Sequence, residues 1–239
     1  MPQKYRKLFP GRERTSARLL WLWILIPLIA QADSHFMSNS KAILHGCTDQ
    51  WILDDKHSVP NLFQMTVCMD LRLLTTGKWM AFSYATPHSS YYDLALHGDS
   101  EAVYAWLLGV RHRFPVRLEL ERWHQLCLRI DTLNNSFILT VNSSQKTSEQ
   151  RTVITQAIKL KGKLQLGCQS EGTFTGSTTA TIELYMFRIW GDVRKHSHCE
   201  DGTIVGWDSS MWKISRYEAW AKDRTLYCGE HNNLDCGQR

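Results

Sequence analysis

After Leu19–Ala30, no stretch of the 239 residues is long and apolar enough to cross a bilayer, which takes about 20 residues. The chain also lacks a Gly-x-Ser-x-Gly elbow, a His-Glu-x-x-His pair and a glycine-rich phosphate loop. No local motif therefore points to acyl transfer, zinc hydrolysis or nucleotide chemistry. Sustained helical periodicity is missing too; Ile154–Leu160 comes nearest and is short. Nor is there a charge surplus outside the first 32 residues. The chain has 28 basic and 23 acidic residues, and residues 1–32 hold six and one of them, leaving 22 of each. A balanced remainder gives no electrostatic footprint for nucleic acid.

Residues 1–32 read as a secretory signal. Lys4, Arg6, Lys7, Arg12, Arg14 and Arg18 form a basic start, and the 12-residue run Leu19–Ala30 follows. Ala30-Gln31-Ala32 has the small-x-small form of a cleavage site. The alternative is a signal anchor that stays attached, for which a 12-residue run containing Pro27 is short. The expected localisation is extracellular. The expected organisation is a signal at 1–32, one β-sandwich over 33–198 and a tail over 199–239. Some 207 residues after the signal are enough for one domain with its own core.

What is present is a series of short strands. In Leu62–Leu73, Phe63, Met65, Val67, Met69 and Leu71 share a face opposite Gln64, Thr66, Cys68 and Asp70. In Arg122–Asp131, Leu126, Leu128 and Ile130 oppose Trp123, Gln125, Cys127, Arg129 and Asp131. Further strands are expected at Lys78–Tyr84, Tyr92–Leu96, Ala102–Leu108, Phe137–Val141, Lys163–Leu166 and Thr181–Trp190, with a hairpin at Asn134-Asn135. Many strands with few helices predict an all-β antiparallel sandwich.

All seven cysteines follow the signal, and in a secreted chain they read first as disulfides. Cys68 and Cys127 both fall on the polar face of a half-buried strand, so a bond between them would staple two strands without disturbing the core. Cys199 and Cys228 would close the tail, which carries Trp207, Trp212 and Trp220. Cys236 is the expected odd thiol, leaving Cys47 to pair with Cys168. The alternative is a buried free Cys168, because Leu164, Leu166 and Cys168 share an inward phase. Asn134-Asn-Ser and Asn142-Ser-Ser are glycosylation sequons. His196-Ser-His198-Cys199 with Cys228-Gly-Glu-His231 offers zinc-type ligands, but its spacing matches no familiar finger; an exposed histidine loop is expected there. Most aromatic residues read as core. Tyr91 and Tyr92, beside a polar loop, are the expected exposed pair.

Phe63-Gln-Met-Thr-Val-Cys68, Phe82-Ser-Tyr-Ala-Thr86, Trp123-His-Gln-Leu-Cys127, Leu166-Gly167 and Phe187-Arg-Ile-Trp190 resemble the pentraxin fold, a jelly-roll relative of laminin-G sandwiches. Trp79-Met-Ala-Phe-Ser-Tyr84 and the tail Cys199-Glu-Asp-Gly-Thr-Ile-Val-Gly-Trp207, Trp212 and Cys228 resemble the N-terminal pentraxin-like domains of G-group adhesion G-protein-coupled receptors. The likeness covers about residues 40–229. It implies a Cys68–Cys127 bridge, a non-catalytic recognition or adhesion module, an extracellular protein or glycan ligand, and self-association. It also implies the alternative of a calcium-dependent soluble pentraxin that binds patterns or glycans. The family's calcium ligands correspond here only to Asp93 and Glu171. Gly191–His198 is too short for the helix that pentraxins carry after the last strand, and Gln125 and Ile130 replace the signature His and Trp.

Overall fold

The computed structural model describes residues 35–87, 89, 91–148, 154, 156–159, 161–168 and 178–228. The residues expected to form the signal, together with Glu171 and Cys236, lie outside that set. In chain order the described strands are β1 (Ser40–His45), β2 (Trp51–Leu53), β3 (Gln64–Leu73), β4 (Trp79–Ala85), β5 (Leu94–Gly98), β6 (Val103–Leu107) and β7 (Val110–Phe114). There follow β8 (Trp123–Asp131), β9 (Ser136–Val141), β10 (Ser144–Lys146), β11 (Lys163–Leu166), β12 (Thr181–Trp190), β13 (Trp212–Ile214) and β14 (Trp220–Lys222). They make two seven-stranded sheets. Sheet I runs β10-β9-β8-β3-β12-β1-β14 and sheet II runs β13-β2-β11-β4-β5-β6-β7. All the paired strands are antiparallel.

Alternation along each strand sends one set of side chains between the sheets. In sheet I, Met65 faces Ile130, Val67 faces Leu128 and Ile189, and Met69 faces Leu126. In sheet II, Trp51, Leu166, Phe82, Leu96 and Ala105 form one row across five strands. The layers meet where Phe82 packs edge-on against Phe187 at 5.2 Å and Trp51 stacks on Trp207 at 5.2 Å. Phe63 does not join this core. It lies just before β3 and is 55 % exposed.

The tail is woven into the sandwich. Its two short strands take one edge of each sheet, β13 beside β2 and β14 beside β1. Trp207 reaches the core, and its indole N–H donates to the Ser40 carbonyl at 3.0 Å. A bulge in β12, where Met186 has φ +52°, sets two residues against Met69 alone. Tyr185 and Arg188 therefore both lie on the outer side, opposite Asp70 and Cys68. Among residues 154–159, those described include a bridge from Ile158 to Leu62 and no helix.

Three disulfides join Cys47 to Cys168, Cys68 to Cys127 and Cys199 to Cys228. Cys68 and Cys127 are direct cross-strand partners in the β3–β8 ladder. Cys168 leaves the inward phase of Leu164 and Leu166 because Gly167 adopts φ +86°. A Cβ at Gly167 would come within 2.8 Å of the Asp49 carbonyl oxygen, so the turn requires glycine. It delivers Cys168 to the outer side of sheet II, where the Cys47–Cys168 bridge packs with Met80 and Tyr92.

Candidate functional site

The outer face of sheet II carries the candidate site. One row across it reads Ile52, Gln165, Ser83, Ala95, Trp106, Arg111; a second reads Met80, His97, Tyr104, Arg113. Ser83, Ala95 and Gln165 are buried although they point away from the core. Part of the cover is the segment between β4 and β5. Its base is fixed by Asp93, whose N–H donates to the Tyr84 carbonyl and whose Oδ2 accepts the Thr86 N–H at 2.7 Å. The Ser89 hydroxyl donates to the Tyr91 carbonyl at 2.6 Å. This anchoring lays Tyr91 parallel to Trp106, with centroids 6.2 Å apart, and sets Tyr92 edge-on to the same indole at 6.1 Å.

Two cavities flank this aromatic group and share Tyr92 and Trp106 as walls. The larger, about 690 Å³, also takes in Tyr91, Thr86, Lys161 and Lys163. The smaller, about 240 Å³, is lined by His97, Tyr104, Arg111, Lys78 and Asp99. The His97 ring stacks on Tyr104 at 5.1 Å, and the Arg111 guanidinium lies over the Tyr104 ring, 5.1 Å from its centroid. Burial, reinforced by the Arg111 charge, lowers the His97 pKa to about 4, so the ring is neutral at pH 7. Partial burial raises Asp99, but the N–H groups of Glu101 and Ala102 outweigh it and keep the carboxyl below its ordinary range. The arrangement offers flat aromatic surface and fixed charges.

Of the two expected metal ligands, Asp93 is buried and its Oδ2 is engaged by backbone, while Glu171 lies outside the described residues. Calcium takes six to eight oxygen ligands. The described residues supply one carboxylate of the expected set, Asp93; the stretch that carries Glu171 lies outside the described residues.

The histidine motif corrects an expectation. His196 is not on an exposed loop: its side chain is 1 % exposed. It stacks on Trp190 at 4.0 Å between Asp192 and Glu200, with each ring nitrogen 2.8 Å from a carboxylate oxygen. His198 meets Asp70 at 2.7 Å. Its other nitrogen lies 3.8 Å and 3.7 Å from the sulfurs of Cys199 and Cys228, which are bonded to each other. The cluster pins the segment after β12 over sheet I. The sequon residues Asn134 and Asn142 are exposed in the turns at either end of β9.

Trp106, Tyr104, His97 and Arg111 were not among the residues singled out from sequence. The alternation in Ala102–Leu108 carried a signal, since it sets Tyr104 and Trp106 opposite Val103, Ala105 and Leu107.

No protein-family model matches the chain. The chain is 27 % identical over 233 residues to human adhesion G-protein coupled receptor G4, a match covering 91 % of this chain and 7 % of the receptor. The heptameric SAP-like pentraxin of Limulus polyphemus superposes with a TM-score of 0.61 at 13 % identity, covering 79 % of this chain and 97 % of that one. The chain has a pentraxin-like fold. The full extracellular region of zebrafish Gpr126/Adgrg6 superposes at 0.62 and 16 % identity, covering 81 % of this chain and 28 % of the zebrafish chain.

Proposed function

We propose that this pentraxin-like domain is a secreted, glycosylated, non-catalytic recognition module that binds its extracellular ligand on the outer face of sheet II, without calcium. The likeness to adhesion receptors supports the recognition class. One observation carries the choice of face: two concave pockets share Tyr92 and Trp106, with Tyr91 64 % exposed above them. Concave apolar surface with a few fixed polar groups is the usual form of a ligand site.

The test is binding of the labelled, glycosylated protein to a panel of cultured cells by flow cytometry. Tyr91→Ala with Trp106→Ala should remove binding, whereas Phe63→Ala, just before β3 of sheet I, should keep it. Retained binding by the first variant would place the ligand elsewhere.

A further inference from the structure

We propose that Cys199, Cys228 and His198 form a redox-gated zinc site, closed while the two sulfurs are bonded and open to one zinc ion once that bond is reduced. Among the described residues this is the one group of three or more such side chains whose ligand atoms converge, all within 4.8 Å of one another. The spacing suits the ion. Zinc holds thiolate sulfur at about 2.3 Å and imidazole nitrogen at about 2.0–2.1 Å in a tetrahedron, which sets neighbouring nitrogen and sulfur about 3.6 Å apart. The Nδ1 atom of His198 already stands 3.8 Å from the Cys199 sulfur and 3.7 Å from that of Cys228. Only the sulfurs have to part, from bonding distance to about 3.8 Å, by rotation about the two Cα–Cβ bonds. Two thiolates and one imidazole are a zinc-type donor set, and three protein ligands leave the fourth position to water.

The imidazole is oriented for this role. Its Nε2 lies 2.7 Å from Oδ2 of Asp70, a buried carboxylate on β3. That nitrogen carries the proton, and Nδ1 turns its lone pair to the sulfurs. A carboxylate behind a ligating histidine fixes its tautomer and strengthens it as a donor. The backbone is held as well: the buried Arg188 guanidinium donates to the carbonyls of His198 and Glu200. The nearby carboxylates Asp192 and Glu200 are already engaged by His196 and Arg194. The opening step transfers two electrons. A dithiol reductant gives up its two thiol hydrogens and becomes a disulfide, Cys199 and Cys228 become thiols, and zinc then displaces both of their protons. The ion closes the same loop that the disulfide closed, a separation of 29 residues. It therefore keeps β13 and β14 on their sheet edges in the reduced state.

The test is zinc binding by the purified full chain, oxidised or reduced with a water-soluble phosphine, read by competition with a chromogenic chelator, with cobalt(II) as a spectroscopic substitute. The reduced protein should bind one more zinc ion than Cys199→Ala with Cys228→Ala treated identically, a comparison that subtracts any ion held by the other thiols. Cobalt should give the intense visible bands of tetrahedral thiolate coordination, and zinc should raise the Tm of the reduced parent above that of the same protein in chelator. The oxidised parent should show neither effect. His198→Gln should weaken zinc binding at least about tenfold, and Asp70→Asn by about 10–100-fold. Cys228→His with Cys236→Ser offers two imidazoles and a thiolate with no reductant and the other two bridges intact, so it decides the matter if the reduced parent unfolds. Zinc binding by that variant, lost on adding His198→Gln, would support the site. Equal zinc binding by oxidised and reduced parent, by Cys199→Ala with Cys228→Ala, or in spite of His198→Gln would overturn the proposal. Absence of binding by both the reduced parent and Cys228→His with Cys236→Ser would overturn it as well.

Discussion

Removing the Cys47–Cys168 bridge should cost about 4 kcal/mol, and the size follows from how the bridges are nested. The bond closes a separation of 121 residues. In the chain-entropy treatment a lone loop of that length is worth about 5 kcal/mol at 25 °C. Cys68–Cys127 lies inside it and already closes 59 of those residues. The unfolded chain with that inner bridge intact has an effective outer loop of about 60 residues, worth about 4 kcal/mol. The bridge also backs the ligand face, since it packs with Met80 and Tyr92. The perturbation is Cys47→Ala with Cys168→Ala, which removes both thiols and avoids exchange. For a domain of this size each kcal/mol lowers Tm by about 2–4 °C, so a drop of roughly 8–16 °C is expected. Urea denaturation of parent and variant should show a midpoint shift with little change in slope if only stability has changed. Peptide mapping of the parent should recover the Cys47–Cys168 cross-link. A loss under about 1 kcal/mol, or free thiols at both positions, would refute the reasoning.

Three further outcomes follow. His97 is held at about 4 in the folded state against 6.5 when free, so the unfolded state binds more protons between those values. Stability should therefore fall as pH drops from about 6.5 to 4, by on the order of 3 kcal/mol in full, and His97→Gln should flatten that part of the curve measured by urea denaturation. Gly167→Ala should cost about 1–3 kcal/mol in the same assay, because φ is +86° and the new methyl meets the Asp49 carbonyl. A parent-like melt would mean that the turn relaxes. Thermal melts in calcium and in chelator should coincide; a calcium concentration 100 times its dissociation constant would otherwise add about 2.7 kcal/mol, and such a rise would point to Asp93 and Glu171 as ligands.

The core was legible where strands were long. β3, β8 and β12 run nine or ten residues, enough for alternation to fix which face is buried. β2, β13 and β14 have three residues each, too few to show a period, and they gain their place only by pairing with β11, β2 and β1. Two local devices reversed phases that alternation alone would extend: the positive φ at Gly167 turned Cys168 outward, and the Met186 bulge put Tyr185 and Arg188 on one side. The candidate site was half legible. Tyr91 and Tyr92 stand beside a polar loop and were expected as an exposed pair; Tyr91 is exposed, while Tyr92 is partly buried against the Cys47–Cys168 bridge. Trp106, His97 and Lys163 join them through the registers of three other strands, which sequence spacing does not encode. The buried position of His196 was likewise hidden, since its partners Trp190, Asp192 and Glu200 enclose it only once the segment folds back.

The most direct test of the ligand face needs no substitution. Hydroxyl-radical footprinting of the protein, free and bound to ligand-bearing cells, reports which side chains lose solvent contact. Protection of Tyr91, Tyr92 and Trp106, with Phe63 and Leu133 unchanged, is the predicted result. Protection of Phe63 or Leu133 with Tyr91 still reactive would contradict the account and move recognition to sheet I.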